Sequence, residues 1–432
     1  MAKKRRFAPW KLAIAAVVII VGGGWGTLKF AEMRAAGEAE RAASRLRLMG
    51  YPTTIAEFRA RLPKDGPDNA APLYKEAIAL MEQIGTPKFD FSTPDGKIDE
   101  QKRIAVVTAM EPVYQLLIRA AEMPRCTFDR KWEEAFNVPF PEFALMRNFG
   151  RICTTRADDA SAKGNWEIAL DSLAVGAKIA NHAREPSLIG HLVAVAGEST
   201  VMKSFYNILA RHRRDPQFLS AARTWLAALP PPTDRQRAHD FELVGLRAGL
   251  DLVAKDTNSF PVEKDSWEGF LVTGYLRMPL GRRSVEALYL NRMADALEAP
   301  YEDPWKDLQR WRDLDMVFES DKTLLGRVTS IFALTFGDFQ IALARGATHR
   351  RMADVALWVC EQRVQLGTFP YQLPDQERFH DPWTGKRLIY STSGDQFRIR
   401  SVGPNKVDDG GQTSGGTRTD DDEVMIDPAK VR

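Results

Sequence analysis

The sequence predicts a mainly α-helical protein that starts on an N-terminal transmembrane helix and ends in a small α+β module with a three-stranded antiparallel sheet. Three observations predict it. One uninterrupted apolar stretch lies near the N-terminus, apolar residues recur at three-to-four spacing through most of residues 29–346, and beyond residue 347 the pattern changes to strand-like alternation. The chain then divides into a cytoplasmic basic tail (1–6), an anchor (7–28), a helical body (29–346) and a C-terminal module (347–432).

The anchor rests on "FAPWKLAIAAVVIIVGGGWGTL", preceded by Lys3, Lys4, Arg5 and Arg6. Only Lys11 interrupts it, near enough to the edge for its ammonium to reach the interface. At about 1.5 Å rise per residue the stretch spans a hydrocarbon core of about 30 Å. Trp10 and Trp25 stand near its two ends, where amphipathic rings prefer to lie. The basic cluster places the N-terminus in the cytoplasm and the bulk of a single-pass inner-membrane protein in the periplasm or its equivalent. The rival reading is a cleaved signal peptide with Leu12–Val21 as its apolar core; no A-x-A site directly follows that core, which favours a retained anchor.

Composition narrows the remainder. Sixty Lys and Arg against 57 Asp and Glu leave a formal net charge of +3, with basic residues interleaved among acids, so nucleic acid is not an expected partner. Cys126, Cys153 and Cys360 make neither a disulfide framework nor a CxxC metal site; one disulfide with a spare thiol and three buried free thiols both remain open.

In the body, Thr54 and Glu57 have capping-box spacing, and Asp68 or Asn69 is placed to cap the next helix. Pro112 is expected to kink or split a helix over about 100–123. The segment 124–143 is irregular and rich in aromatic residues, a loop that either folds down onto a core or lines a pocket. Helices are expected throughout 142–257, with Asp215-Pro216 as an N-cap and first helical position. Residues 258–320 read as mixed, with short helices around 283–298. The stretch 323–346, which carries Arg327 and Asp338, reads as a buried core helix and not a second span. Ala157, Ala160, Gly164, Trp166, Ala169 and Leu173 resemble one tetratricopeptide-type helical hairpin, with no second copy 34 residues on.

In the module, a helix from Thr348 to Gly367 is followed by a turn at Thr384-Gly385, and "DQFRIRSV" and "EVMID" have strand periodicity. The acids of the connecting segment fall in two clumps, Asp408-Asp409 and Asp420-Asp421-Asp422-Glu423, separated by Gly410, Gly411, Gly415 and Gly416. Carboxylates with inward-turned carbonyls suit calcium, and the lack of His and Cys disfavours zinc or copper; a solvated acidic tail is the plainer alternative.

Gly367 to Pro370, Asp381-Pro382-Trp383, Ser401-x-Gly403-x-Asn405 and the glycine loop closing on Asp420–Asp422 resemble, in that order, the soluble domain of the major pseudopilin of type II secretion systems over residues 348–427. The resemblance implies a structural calcium ion, with Ser401, Asn405, Asp408, Asp409, Asp420, Asp421 and Asp422 as candidate ligands. Pseudopilins carry this module directly on a processed membrane helix. Here residues 29–346 intervene and the processed start is missing, so polymerisation by that family's mechanism is not implied. In domain order the whole chain also resembles uncharacterised bacterial membrane-anchored helical proteins with a pseudopilin-like tail.

Catalytic motifs are absent: there is no G-x-S-x-G, P-loop, G-x-G-x-x-G, H-E-x-x-H or EF-hand pattern. His182, His191 and Glu198, with His239 and Glu242 at i, i+3, are the one set that could assemble a His/Glu site, and their gathering in one polar pocket would support an extracytoplasmic hydrolase. The leading expectation is an anchored scaffold that meets a protein partner, associated with a secretion or pilus-like assembly.

Overall fold

The structure, a computed structural model, describes residues 9–93, 98–231, 235–255, 267–299, 304–332, 336–411 and 422–426. Among these, α1 (Pro9–Leu48) leads into α2 (Ile55–Arg61), α3 (Ala71–Ile84), α4 (Glu100–Ala109) and α5 (Glu111–Glu122). Then come α6 (Pro141–Ala162), α7 (Trp166–His182), α8 (Leu188–His212) and α9 (Pro216–Ala227). They are followed by α10 (Arg235–Ala238), α11 (Asp240–Lys255), α12 (Trp267–Arg277), α13 (Pro279–Glu298), α14 (Pro304–Ser320), α15 (Leu324–Ser330) and α16 (Phe336–Leu366). The strands β1 (Ile389–Ser393), β2 (Gln396–Ser401) and β3 (Asp422–Ile426) close the chain. The expected mainly helical body with a small antiparallel sheet at its C-terminal end is the observed architecture.

The predicted span 7–28 falls largely outside the described residues: 7 and 8 entirely, and the side chains of 9–23. The helix backbone of α1 runs without a break from Pro9 into the body. Its second half buries Ala35, Ala39, Ala42, Ala43 and Leu46 on one stripe, and these small side chains let α1 lie close along α13. Arg45 reaches Asp295 (3.0 Å) and Glu298 (2.5 Å) across that seam. Arg247 on α11 pairs with Glu286 (2.6 Å) on α13 and with Glu40 (3.5 Å) on α1, and donates to the Thr53 carbonyl (2.9 Å), so it links α11, α13 and α1. Among the described residues no single helix is long and apolar enough to cross a membrane. The α4–α5 pair meets that test only jointly, across a 61° bend, and Val113, Tyr114 and Leu117 of α5 lie in a buried core.

Local chemistry explains most boundaries. Thr54 Oγ1 accepts from Glu57 N (3.2 Å), while the Glu57 carboxylate reaches back to Thr53 N (2.7 Å), one residue earlier than a standard capping box. Pro112 splits the predicted 100–123 helix at Met110, because it has no N–H to donate and fits the first turn of a new helix. Asp215 accepts from Gln217 N and Phe218 N to open α9.

Two expectations need correction. Residues 267–299 and 304–320 are long helices, not mixed structure: Leu308, Trp311, Leu314 and Phe318 of α14 repeat at three-to-four spacing and are buried, a short stripe diluted by charge. The stretch 323–346 is not one helix either. It breaks after α15, and α16 begins at Phe336, where the Asp315 carboxylate of α14 accepts from Phe336 N (3.2 Å) and Gly337 N (2.7 Å). The boundary drawn at 346/347 therefore falls inside α16.

β2 pairs antiparallel with β1 (Tyr390 opposite Ile399) and with β3 (Ile399 opposite Val424). Phe397, Ile399, Val424 and Ile426 make its apolar face. That face is not a core of its own: it packs into one cluster with Phe205 of α8, Phe218 and Trp225 of α9, and Met352 and Leu357 of α16. Period-two alternation buries one face of β2, and the helices supply the apolar surface that covers it. The three cysteines are free thiols; Cys153 and Cys360 are buried, and burial holds both far above the usual thiol range.

Candidate functional site

The segment 124–143 folds down through one buried ion pair. Arg130 Nε and Nη2 bond the two oxygens of Glu185 (2.5 and 3.1 Å), and Arg130 Nη1 donates to the Pro139 carbonyl (2.7 Å) and to Glu142 (3.1 Å). The guanidinium also lies 4.5 Å from the Phe140 ring centroid and 5.2 Å from that of Phe143. Glu185 belongs to the α7–α8 turn, so the pair clamps the aromatic segment onto that turn. Trp132 then packs edge-on against Phe58 (5.0 Å) and Phe241 (4.7 Å). Gly190 lets the first turn of α8 approach: a Cβ there would meet the Ala183 carbonyl at 2.8 Å.

Both alternatives left open by the sequence apply to this segment. Trp132 joins the core, whereas Ala135, Phe136, Val138 and Phe140 wall an open cavity of about 380 Å³. Leu192 of α8, Leu246 of α11 and Phe332 lie among its other walls, and it falls within the ~300–1,000 Å³ of small-ligand sites. Phe136, Ile189, Leu192 and Ile331 remain partly exposed at its rim. Ala135 adopts φ 50°, ψ −111°, a costly conformation for a residue with a Cβ, and so turns Phe136 onto α11. There Gly249 leaves room for the ring, since a Cβ would stand 1.8 Å from Phe136 Cε2.

Among the described residues, Glu242 is the single charged one lining this cavity. One of its carboxyl oxygens accepts from Leu188 N (3.0 Å). Burial raises the carboxyl to about 7, the Leu188 N–H opposing the shift. The cavity thus offers an acid that is largely protonated just below neutral pH, set among apolar walls.

The histidine and glutamate set is not gathered in one pocket. His182 Nε2 donates to the Met123 carbonyl (3.0 Å), which fixes the tautomer so that Nδ1 accepts from Tyr74 Oη (2.8 Å). Burial lowers its pKa to about 4. Glu198 faces Arg184 (3.5 Å) and Arg350. His239 stacks on Trp311 (4.7 Å between centroids, 11° between planes), while Glu242 turns to Leu188 and the cavity. His191 is fully buried, and neither ring nitrogen has a hydrogen-bond partner.

At the C-terminal loop, Asp381, Ser401 and Gly403 form one hydrogen-bonded cluster. The Asp381 carboxylate accepts from Ser401 Oγ, Trp383 N and Val402 N (2.9 Å each), and Ser401 Oγ accepts from Gly403 N (3.3 Å). Asp422 pairs across the strands with Ser401 and so lies on the helix-facing side, 3.4 Å from His349 Nε2 and 3.9 Å from Arg345. Asp408 bonds Arg400 (2.8 Å), the neighbour of Ser401 and hence on the opposite face; Asp409 accepts from Asn405 Nδ2 (2.8 Å). Asp420 and Asp421 lie outside the described residues. Of the five described candidates, Ser401 and Asp422 therefore lie apart from Asp408 and its loop neighbours. Ser401 is spent on Asp381 and Asp422 faces His349 and Arg345, which leaves Asn405, Asp408 and Asp409 on the loop side. Among the described residues no group of three or more His, Cys, Asp or Glu side chains is arranged to hold a metal ion.

Compared with family models, curated proteins and solved structures, the chain finds no significant match.

Because Glu242 binds its proton more tightly when folded, its contribution to stability is full below the ordinary glutamate pKa and is lost as pH rises from about 4.5 to about 7. Melting curves across that window should show a fall in stability on the order of 1–3 kcal/mol that Glu242→Gln removes. Parallel pH profiles for the two proteins would show that Glu242 titrates normally.

Proposed function

We propose that the protein is a membrane-anchored helical interaction scaffold that receives an apolar group of a protein partner in the cavity between segment 124–143, α8 and α11. The observation that carries this reading is the rim itself: Phe136, Ile189, Leu192 and Ile331 are exposed large apolar residues that all line one open cavity, and exposed apolar surface of this kind marks interaction sites. The anchor is supported by the composition of residues 7–28 and by the unbroken helix that continues from Pro9 into the body. A hydrolase built on His182, His191, Glu198, His239 and Glu242 has no such support: Glu242 lines the apolar cavity, His239 stacks on Trp311, Glu198 faces arginines, and of the two histidines that share a separate cavity His182 is held by Tyr74 and the Met123 carbonyl.

The C-terminal module is pseudopilin-like in this reading, and its support is the Asp381–Ser401–Gly403 cluster, which engages residues of two of the resembling motifs. A place in a secretion or pilus-like assembly rests on that resemblance. We assign calcium, in narrower form, to Asn405, Asp408 and Asp409 together with Asp420 and Asp421. Gly410 and Gly411, at φ 83° and 70°, support it by turning the backbone beside these acids.

Three experiments test these readings. A photo-crosslinking residue at Ile189 should capture a discrete partner in membranes, whereas one at the fully exposed Tyr371 should not; equal labelling at both, or none at Ile189, contradicts the interface. A chain starting at residue 29 should leave the membrane pellet after carbonate washing if the anchor is retained. Calcium should raise the melting temperature of the full chain, and Asp408→Ala/Asp421→Ala should remove the effect. The full chain is required because the apolar face of the sheet is covered by α8, α9 and α16. No calcium-dependent stabilisation would leave the loop a solvated acidic segment.

A further inference from the structure

On the other side of the α7–α8 turn lies a second cavity, of about 250 Å³, whose lining includes Arg125, Thr127, Asn181, Arg184, His191 and Arg237. Its cationic side chains are incompletely satisfied. Arg125 gives Nε and Nη2 to Asp68 (2.8 and 2.5 Å), but its buried Nη1 has no partner. Arg184 gives Nη1 to the Pro231 carbonyl (2.6 Å) and Nη2 to Glu198 (3.5 Å), and its buried Nε has none. His191, 2 % exposed, has neither ring nitrogen bonded. Arg237 is exposed, with no ion-pair partner among the described residues.

Buried polar groups are nearly always hydrogen-bonded, and an unmet donor costs about 1–3 kcal/mol, more when charged. Unmet nitrogens on three separate elements around one cavity are therefore unusual outside a binding site. The acid that also lines the cavity, Glu185, has both oxygens engaged by Arg130, so it does not neutralise this cluster. The crowding is visible in the titration of the groups: burial, then the charges of Arg184 and Arg237, pull His191 down to about 3, and burial lowers Arg184.

We infer that this cavity binds a small oxyanion, a carboxylate or a phosphate, through Arg125, Arg184, His191 and Arg237. Neutral His191 donates from one nitrogen, and the guanidinium nitrogens Arg125 Nη1 and Arg184 Nε supply charge-assisted bonds. Arg237, at the exposed side, provides attraction and closes the charge balance. The inference does not depend on the apolar cavity or on a protein partner.

The test is a thermal-shift and calorimetric titration of the full chain with inorganic phosphate and, separately, acetate, against chloride at matched ionic strength. Saturable stabilisation by at least one oxyanion is expected, and the stronger of the two identifies the source. Arg237→Ala, an exposed change, should weaken binding by roughly ten- to a hundred-fold. His191→Leu should abolish it, and the exposed Lys386→Ala should leave it unchanged. No response to either anion, or an undiminished response in Arg237→Ala, overturns the proposal. A His191→Leu protein that is more stable and still binds also overturns it, showing the histidine to be a dry core residue. Should His191→Leu fail to fold, Arg237→Ala against Lys386→Ala decides the matter alone.

Discussion

The Arg130–Glu185 ion pair is the constraint on which the functional half of the molecule depends. Two charges removed from water are tolerated only where geometry and further hydrogen bonds compensate the desolvation, and Arg130 meets that condition. It makes paired bonds to Glu185, a bond to the Pro139 carbonyl, a contact with Glu142 and a place beside Phe140 and Phe143. Besides it, segment 124–143 is held by the Arg125–Asp68 pair, by Thr127 N on Asn69 and by the packing of Trp132 on Phe58 and Phe241, and it meets the α7–α8 turn through Phe128 N on Glu185 (3.4 Å). Held in this way, one segment walls two cavities of opposite character. Residues 135–140 face the apolar one and residues 124–127 the basic one.

The rest of the chain makes that clamp rigid. α1 runs as one helix from Pro9 into the seam with α13, so no flexible linker separates its N-terminal half from the body. At the other end, the sheet shares its core with α8, α9 and α16. α8 is common to both arrangements: its first turn borders the two cavities, and its later residues Phe205 and Leu209 lie in the core that covers the sheet.

Periodicity made the helical body and the small sheet legible in the sequence, and so did the punctuation at Thr54, Pro112 and Asp215. The α14 helix was obscured because its buried stripe of Leu308, Trp311, Leu314 and Phe318 is narrow against many charges. The continuity of α16 was obscured because its start is set by Asp315, a partner on another helix that local pattern does not reveal. The candidate sites were less legible. The aromatic richness of 124–143 hinted at a pocket, but the Arg130–Glu185 pair spans 55 positions and carries no local signature. Glu242 and His191 were singled out as members of one His/Glu site; packing instead puts the first in an apolar cavity and makes the second an unbonded histidine among arginines. The acidic loop read as one cation site because sequence does not show that Asp408 and Asp422 lie on opposite faces of a sheet.

The most direct measurement is hydrogen exchange on the full chain and on Glu185→Gln, which keeps the shape of the side chain and removes its charge. The account predicts loss of protection confined to residues 124–143 and the first turn of α8, with α13 and the sheet unaffected. It also predicts a destabilisation of about 3–5 kcal/mol, as expected when one partner of a buried ion pair is removed. Unchanged protection across 124–143 in the variant would contradict it, because the segment's other contacts would then suffice to hold the walls of both cavities.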